Sequence, residues 1–395
     1  MHSGCDACKI KLDATAADNQ HPHPLERPER GATMDETQVA KWADLLTGYC
    51  LAVQPGEAVA IVSELEARPL VEACFRAVID RGGHPLLRLS LPGLEEYRLL
   101  HASETQLSRY PMTLAYEAET VPCRIRIAAE IDTRSMAQVD PRRQAIRDRA
   151  LGNLRELSRR NRWVITQYPT AAYAAEANMT LEDYTNYVAR SMFLDQPDPA
   201  EAWRDLGRRQ AGLIKFMTGA RTVRIEGDDT DLTFSVAGRT WINSDGRRNM
   251  PSGEIFTGPI EESIQGRLRS TFPVCRDGRR LEGIELEFRD GVVVHARAQA
   301  EEAYLLSMLD LDPGARRLGE FGIGLNSGID RFTGSILYDE KIGGTVHLAL
   351  GQSYPETGGV NESSLHWDLI LDLRSKGRIT VDDRVVMENG RWYVG

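Results

Sequence analysis

From Met34 onward the apolar positions fall into two successive textures. Val59-Ala-Ile-Val62 is a short unbroken apolar run, as a covered strand needs, and Arg68 to Arg81 repeats apolar residues at helical spacing until Gly82-Gly83 stops it. Leu86-Leu-Arg-Leu89 reads as the next strand. A strand, a helix and a strand in that order predict a crossover onto a parallel sheet. Cys123-Arg-Ile-Arg-Ile-Ala-Ala129, a helix over 141–160 and Trp163-Val-Ile-Thr166 extend the pattern. It breaks at Phe193-Leu-Asp-Gln-Pro-Asp-Pro199. There Asp198 as N-cap, Pro199 at the first helical position and Glu201 at the third predict a helix running to Gly219.

Beyond Gly219 the period becomes two. Thr222-Val-Arg-Ile225 and Leu232-Thr-Phe-Ser-Val236 alternate, while Asp290-Gly291 and Asn389-Gly390 sit between β-branched or aromatic runs as two-residue hairpin turns do. One helix is expected inside this half, from about Ala300 to Asp310. The predicted fold class is α/β plus α+β. An N-terminal α/β domain with a largely parallel sheet is expected over 34–197, and a β-rich domain with antiparallel hairpins over 198–395.

Residues 1–33 stand apart, being polar, interrupted by Pro22, Pro24 and Pro28, and free of apolar periodicity. They read as a disordered extension, with Met34 a possible true start. A zinc knot of Cys5, Cys8, His21 and His23 is the lesser reading, because nothing would hold those four in place. Composition then removes several classes of function. No apolar run approaches the 18 or so residues that a membrane-spanning helix needs. Forty-eight basic against 58 acidic residues leave a net charge of −10, the wrong sign for neutralising phosphates, so nucleic acid is not an expected partner. Six scattered cysteines and the absence of a secretory succession predict a cytoplasmic protein with reduced thiols.

No G-x-S-x-G elbow, H-E-x-x-H helix or phosphate-cradling G-x-x-x-x-G-K loop occurs, and Gly319-Glu-Phe-Gly-Ile-Gly324 follows a predicted helix rather than the strand a dinucleotide loop requires. Metal-ligand residue types gather instead in the second half. His366-Trp-Asp368 lies in an apolar run, and strand periodicity puts its imidazole and carboxylate on one face. His347 sits inside the apolar Gly344-Thr-Val-His-Leu-Ala-Leu-Gly351, where burial of an imidazole demands partners for both nitrogens. Glu254 and Glu320 stand beside glycines that allow close approach. Each has an ordinary alternative as well: a hydrogen-bonded core histidine, a strand pair, a turn glutamate. Spacing alone does not bring residues between 254 and 368 together.

Four segments carry a resemblance: N-M-P-S-G-E-I-F-T-G-P (249–259), G-E-F-G-I-G-L-N (319–326), I-L-Y-D-E-K-I-G-G-T-V-H-L-A-L-G-Q-S-Y-P (336–355) and S-S-L-H-W-D-L-I (363–370). Together and in this order they resemble the signatures of the thermophilic-type metalloaminopeptidases, the aminopeptidase T and S family, from about Met34 to the C-terminus. The resemblance implies a dinuclear centre held by Glu254, Glu320, His347, His366 and Asp368, none of them substituted. Three carboxylates and one hydroxide would then balance two divalent ions, and mixed nitrogen and oxygen ligands suit Zn²⁺, Co²⁺ or Mn²⁺. It further implies hydrolysis of the first peptide bond of short peptides with a free N-terminus. Glu320 would assist proton transfer and Tyr354 would stabilise the oxyanion. A homodimer is expected on the same ground. Two alternatives stay open. The general fold is similar to that of the mononuclear iron 2,5-dihydroxypyridine dioxygenases, in which His347, His366 and Asp368 would hold the iron and Glu254 and Glu320 would have no use. A non-catalytic metal-binding relative is the other.

Overall fold

The computed structural model describes residues 34–393 except 153, 155, 156, 158, 159 and 277, and the cysteine and histidine set at 5–23 lies outside them. Four strands, β1 (Ala58–Glu64), β2 (His84–Ser90), β3 (Cys123–Ala128) and β4 (Arg162–Gln167), pair in parallel in the order β2-β1-β3-β4. The helix Arg68–Asp80 makes the predicted crossover from β1 to β2 and buries Leu70, Val71, Cys74 and Val78 along one stripe. Within the stretch expected to be helical over 141–160, Pro141–Ala150 forms a helix. The helix Pro199–Met217 starts as its sequence dictates, with the Asp198 carboxylate accepting the Glu201 N–H at 3.0 Å.

The second half supplies β5 (Thr222–Gly227), β6 (Thr230–Ser235), β7 (Ile242–Ser244), β8 (Glu254–Thr257), β9 (Gln265–Arg269), β10 (Val274–Arg276), β11 (Arg279–Leu281), β12 (Glu285–Arg289) and β13 (Val292–Arg297). After the helix Glu302–Leu309 come β14 (Leu318–Gly324), β15 (Thr345–Gly351), β16 (His366–Asp372), β17 (Arg378–Val381), β18 (Arg384–Glu388) and β19 (Arg391–Trp392). An eight-stranded sheet runs β13-β12-β9-β6-β5-β17-β18-β19 and a five-stranded one β16-β15-β14-β8-β7, both antiparallel. The turns at Asp290-Gly291 and Asn389-Gly390 carry the positive φ angles that such hairpins require. The glycine cluster 319–324 is a strand interior, β14, and no part of a nucleotide loop.

An apolar core lies between the two antiparallel sheets, where Phe234 of β6 meets Phe321 of β14 edge-on at 5.0 Å. A second core fills the parallel half and reaches into the later chain, taking in Met250, Ile329, Tyr338 and Ile342. That continuity brings the carboxyl end of β4 against the segment before β15. Tyr338 OH donates to the Gln167 carbonyl at 3.3 Å, and Ser335 Oγ donates to Gln167 Oε1 at 2.8 Å. Among the described residues no helix is long and apolar enough to cross a membrane.

Candidate metal centre

Pairing registers place the site on one face of the five-stranded sheet. Glu320 of β14 lies opposite Ala349 of β15, which lies opposite Asp368 of β16. One row along, Gly322 faces His347 and His347 faces Ile370. Glu254 opens β8 opposite Gly324. Residues directly opposite in a ladder project to the same side, so these side chains share a face. Phe321, Ile323, Val346, Leu348, Leu350, Trp367, Leu369 and Leu371 project from the other and fill the core. The alternation explains why β14 and β15 are buried along their whole length, one side against apolar neighbours and the other against the polar cluster.

Small residues make room for the cluster. A Cβ on Gly322 would overlap the His347 ring. Gly253, at φ +107°, turns the chain into β8 against Asn326, a conformation and an approach that a side chain would forbid. Asn326 in turn donates to the Ser191 and Ser252 carbonyls, both at 2.9 Å. Gln210, a polar residue in the buried stripe of the helix Pro199–Met217, donates to the Glu254 carbonyl.

The five expected ligand side chains converge. His347 Nε2 stands 3.5 Å from Glu254 Oε2 and 3.6 Å from Glu320 Oε1. His366 Nε2 stands 3.3 Å from Glu320 Oε2 and 3.8 Å from Asp368 Oδ1. Glu320 therefore turns one oxygen toward each imidazole. Both rings are fixed from behind, with Nδ1–H of His347 and of His366 donating to the carbonyls of Glu340 and Gln352, each at 3.0 Å. That arrangement leaves Nε2 aimed into the cluster, as a ligating imidazole requires. The Tyr354 ring packs against Phe256 at 5.4 Å and edge-on to His366 at 5.3 Å.

Electrostatics report the crowding. Burial pushes the Glu254 carboxyl up to about 7, although Lys341 and His347 pull the other way. Burial also works against ionised Glu320, yet its bonds to His347 and His366 win and lower it to about 2. The same carboxylates overcome burial at His347 and His366 and raise both to about 10. Tyr354 is raised well above its usual range by burial and by the surrounding carboxylates, so its phenol stays protonated.

Two participants were not anticipated. Glu340 and Lys341 lie in the 336–355 motif but outside its expected ligands. Glu340 groups with Glu254 and His347, ligand atoms within 4.8 Å of one another. Lys341, 0% exposed, places Nζ 3.6 Å from Glu254 Oε1 and pairs with Glu340. The available signal was the charged triplet Asp339-Glu340-Lys341 inside an otherwise largely apolar and glycine-rich run, 336–351. The charges of Glu340 and Lys341 cancel, so the balance expected for two divalent ions is kept.

The donor set fits such ions. Glu254 Oε2 and Asp368 Oδ1 are buried without hydrogen-bond partners among the described residues, a costly condition that a cation would relieve. Residues 35–392 match the profile of a family described as "Thermophilic metalloprotease (M29)", which puts the chain in the class of metal-dependent peptidases. The chain belongs to the thermophilic metalloprotease family. It is 28% identical to aminopeptidase 2 of Geobacillus stearothermophilus over 90% of this chain and 98% of that one. With aminopeptidase PepS of Streptococcus thermophilus it shares 24% identity over 90% and 97%. Wild-type AmpT from Thermus thermophilus superposes with a TM-score of 0.79 at 23% identity, covering 90% of this chain and 99% of that one. The 2,5-dihydroxypyridine dioxygenase of Pseudomonas putida superposes at 0.58 with 16% identity over 91% and 97%. These two structures share the fold; the family match lies with the peptidases.

Proposed function

We propose that this chain is a metal-dependent aminopeptidase that removes the N-terminal residue from short unblocked peptides with the help of two divalent ions. Glu254, Glu320, His347, His366 and Asp368 would hold them, with Zn²⁺, Co²⁺ and Mn²⁺ all suited to the donors. The observation that carries the reading is the convergence of these five side chains, with two buried carboxylate oxygens that have no hydrogen-bond partner among the described residues. Ions bound there would acidify a water and polarise the scissile carbonyl. By its resemblance to the family, the working unit is read as a cytoplasmic homodimer.

The chain's own groups would do the rest. Glu320, ionised and turned toward both histidines, would take the proton of the attacking water. Tyr354, kept protonated, would donate a hydrogen bond to the oxygen on which negative charge develops. Tyr354→Phe is expected to lower kcat by about 10²-fold, as loss of one such donor does. An unchanged kcat would remove Tyr354 from the mechanism.

A mass-spectrometric time course tests the function. A short peptide and its N-acetylated twin are incubated with protein stripped by chelator, before and after Zn²⁺ or Co²⁺ is restored. Stepwise loss of residues from the free peptide alone, and only with metal, is expected. If neither peptide is cut with either metal, or with Mn²⁺ in their place, the aminopeptidase reading falls.

A further inference from the structure

We infer that the cavity beside His366 and Asp368 receives the side chain of the substrate's N-terminal residue and selects large apolar ones. The inference rests on the aminopeptidase reading above. β16 carries His366, Asp368 and Ile370 on one face, so an apolar surface continues directly from two of the proposed ligands. A cavity of about 210 Å³ opens there, and Val274, Phe332, Ile336 and Ile370 line it together with those two residues. Phe332 is held by stacking on Phe272 at 5.3 Å.

Two polar side chains of the wall are engaged within the protein. Asp339 Oδ1 accepts both the N–H and the hydroxyl of Thr333 at 2.8 Å, and Arg276 donates to the His366 carbonyl at 2.9 Å. Away from the proposed ligands, what meets a guest is mainly hydrocarbon and aromatic surface. A cavity of about 150 Å³ holds benzene, so by volume this one accommodates a leucine or phenylalanine side chain with its first carbons. Alanine would leave most of it unfilled. A lysine or arginine guest would give up its water to a wall that is mostly apolar.

The occupant follows from where the reaction takes place. In an aminopeptidase the free amine and the scissile carbonyl both sit at the metal centre, and the Cα of the first residue lies between them. Its side chain must therefore leave from the ligands' immediate surroundings, and this cavity has two proposed ligands in its wall. The second residue lies across the scissile bond. For it and its successors there is a cavity of about 750 Å³ that shares Cys275, Arg276 and Gly334 with the smaller one and reaches Ala128 and Gln167 at the carboxyl ends of β3 and β4. Ligand sites gather at the carboxyl ends of parallel strands in sheets of this kind.

The test is a kcat/KM series on the metal-loaded enzyme with X-Ala-Ala and Ala-X-Ala peptides, X being alanine, leucine, phenylalanine or lysine. Leucine and phenylalanine at position one are expected to exceed alanine by at least about tenfold, the discrimination that a few methylenes give in a fitted pocket. Lysine should fall below leucine and phenylalanine, and position two should matter little. Binding without turnover gives a second readout: by calorimetry, 1-amino-3-methylbutylphosphonate should bind at least about tenfold tighter than 1-aminoethylphosphonate. Ile336→Trp, at the exposed rim, is expected to shrink the leucine-to-alanine ratio by a similar factor. A flat series, or one that follows position two, overturns the pocket and leaves the aminopeptidase standing. Cleavage of no peptide at all overturns the aminopeptidase, and the pocket with it.

Discussion

Glu320→Gln is expected to reduce kcat by at least about 10³-fold while the protein still folds and still takes up metal. Among the described residues Glu320 is the carboxylate that approaches both histidines within 4 Å, one oxygen 3.6 Å from His347 and the other 3.3 Å from His366. The imidazoles keep it ionised despite burial, so over the neutral range its oxygens are unprotonated, and its position between the two rings rather than its basicity suits it to pass on a proton. Glutamine preserves the shape and one coordinating oxygen but removes the charge and the basicity. Proton transfer by a positioned side chain contributes roughly 10²–10⁴-fold, and the weakened hold on the ions adds to that loss. Steady-state kinetics with elemental analysis of the same preparation separates the two effects. Two ions bound with turnover intact would show that another group moves the proton.

The elements that could be read from the sequence are those whose reason is local. The crossover from β1 to β2 follows from helical spacing closed by Gly82-Gly83, and the hairpins at 290 and 389 follow from residues that tolerate positive φ. The pair His366 and Asp368 was legible because strand periodicity alone puts them on one face. The convergence of Glu254, Glu320 and His347 was not, since it depends on the order β16-β15-β14-β8 and on a register that pairs Gly322 with His347. Only the resemblance to a family joined them beforehand. Gly319–Gly324 shows the opposite case. Its glycines mimic a dinucleotide loop, whereas in β14 Gly322 makes room for the His347 ring, and Gly319 and Gly324 let the backbone at 351–352 and 341–342 come close. Glu340 and Lys341 escaped because a charged pair before a strand is ordinarily a solvated turn, and only burial from the parallel half makes it part of the site.

Lys341→Met is expected to destabilise the metal-free protein by about 3–5 kcal/mol, the usual result of removing one partner from a buried ion pair. The ammonium is fully enclosed, 3.6 Å from Glu254 and paired with Glu340, and burial that would discharge it is overcome by those two carboxylates. Methionine fills a similar volume but leaves the carboxylates without a cation. Divalent ions would restore positive charge at the same place, and a ligand that binds only the folded state stabilises it by mass action. Calorimetric melting of wild type and variant, each stripped and then metal-loaded, measures both effects. The variant should melt well below wild type when stripped, and the gap should narrow when Zn²⁺ or Co²⁺ is added. Equal melting of the stripped proteins would mean that Glu254 and Glu340 need no internal cation. A gap that metal leaves untouched would make Lys341 a packing residue, and the charge balance of the site would then have to be met by the five proposed ligands and Glu340 alone.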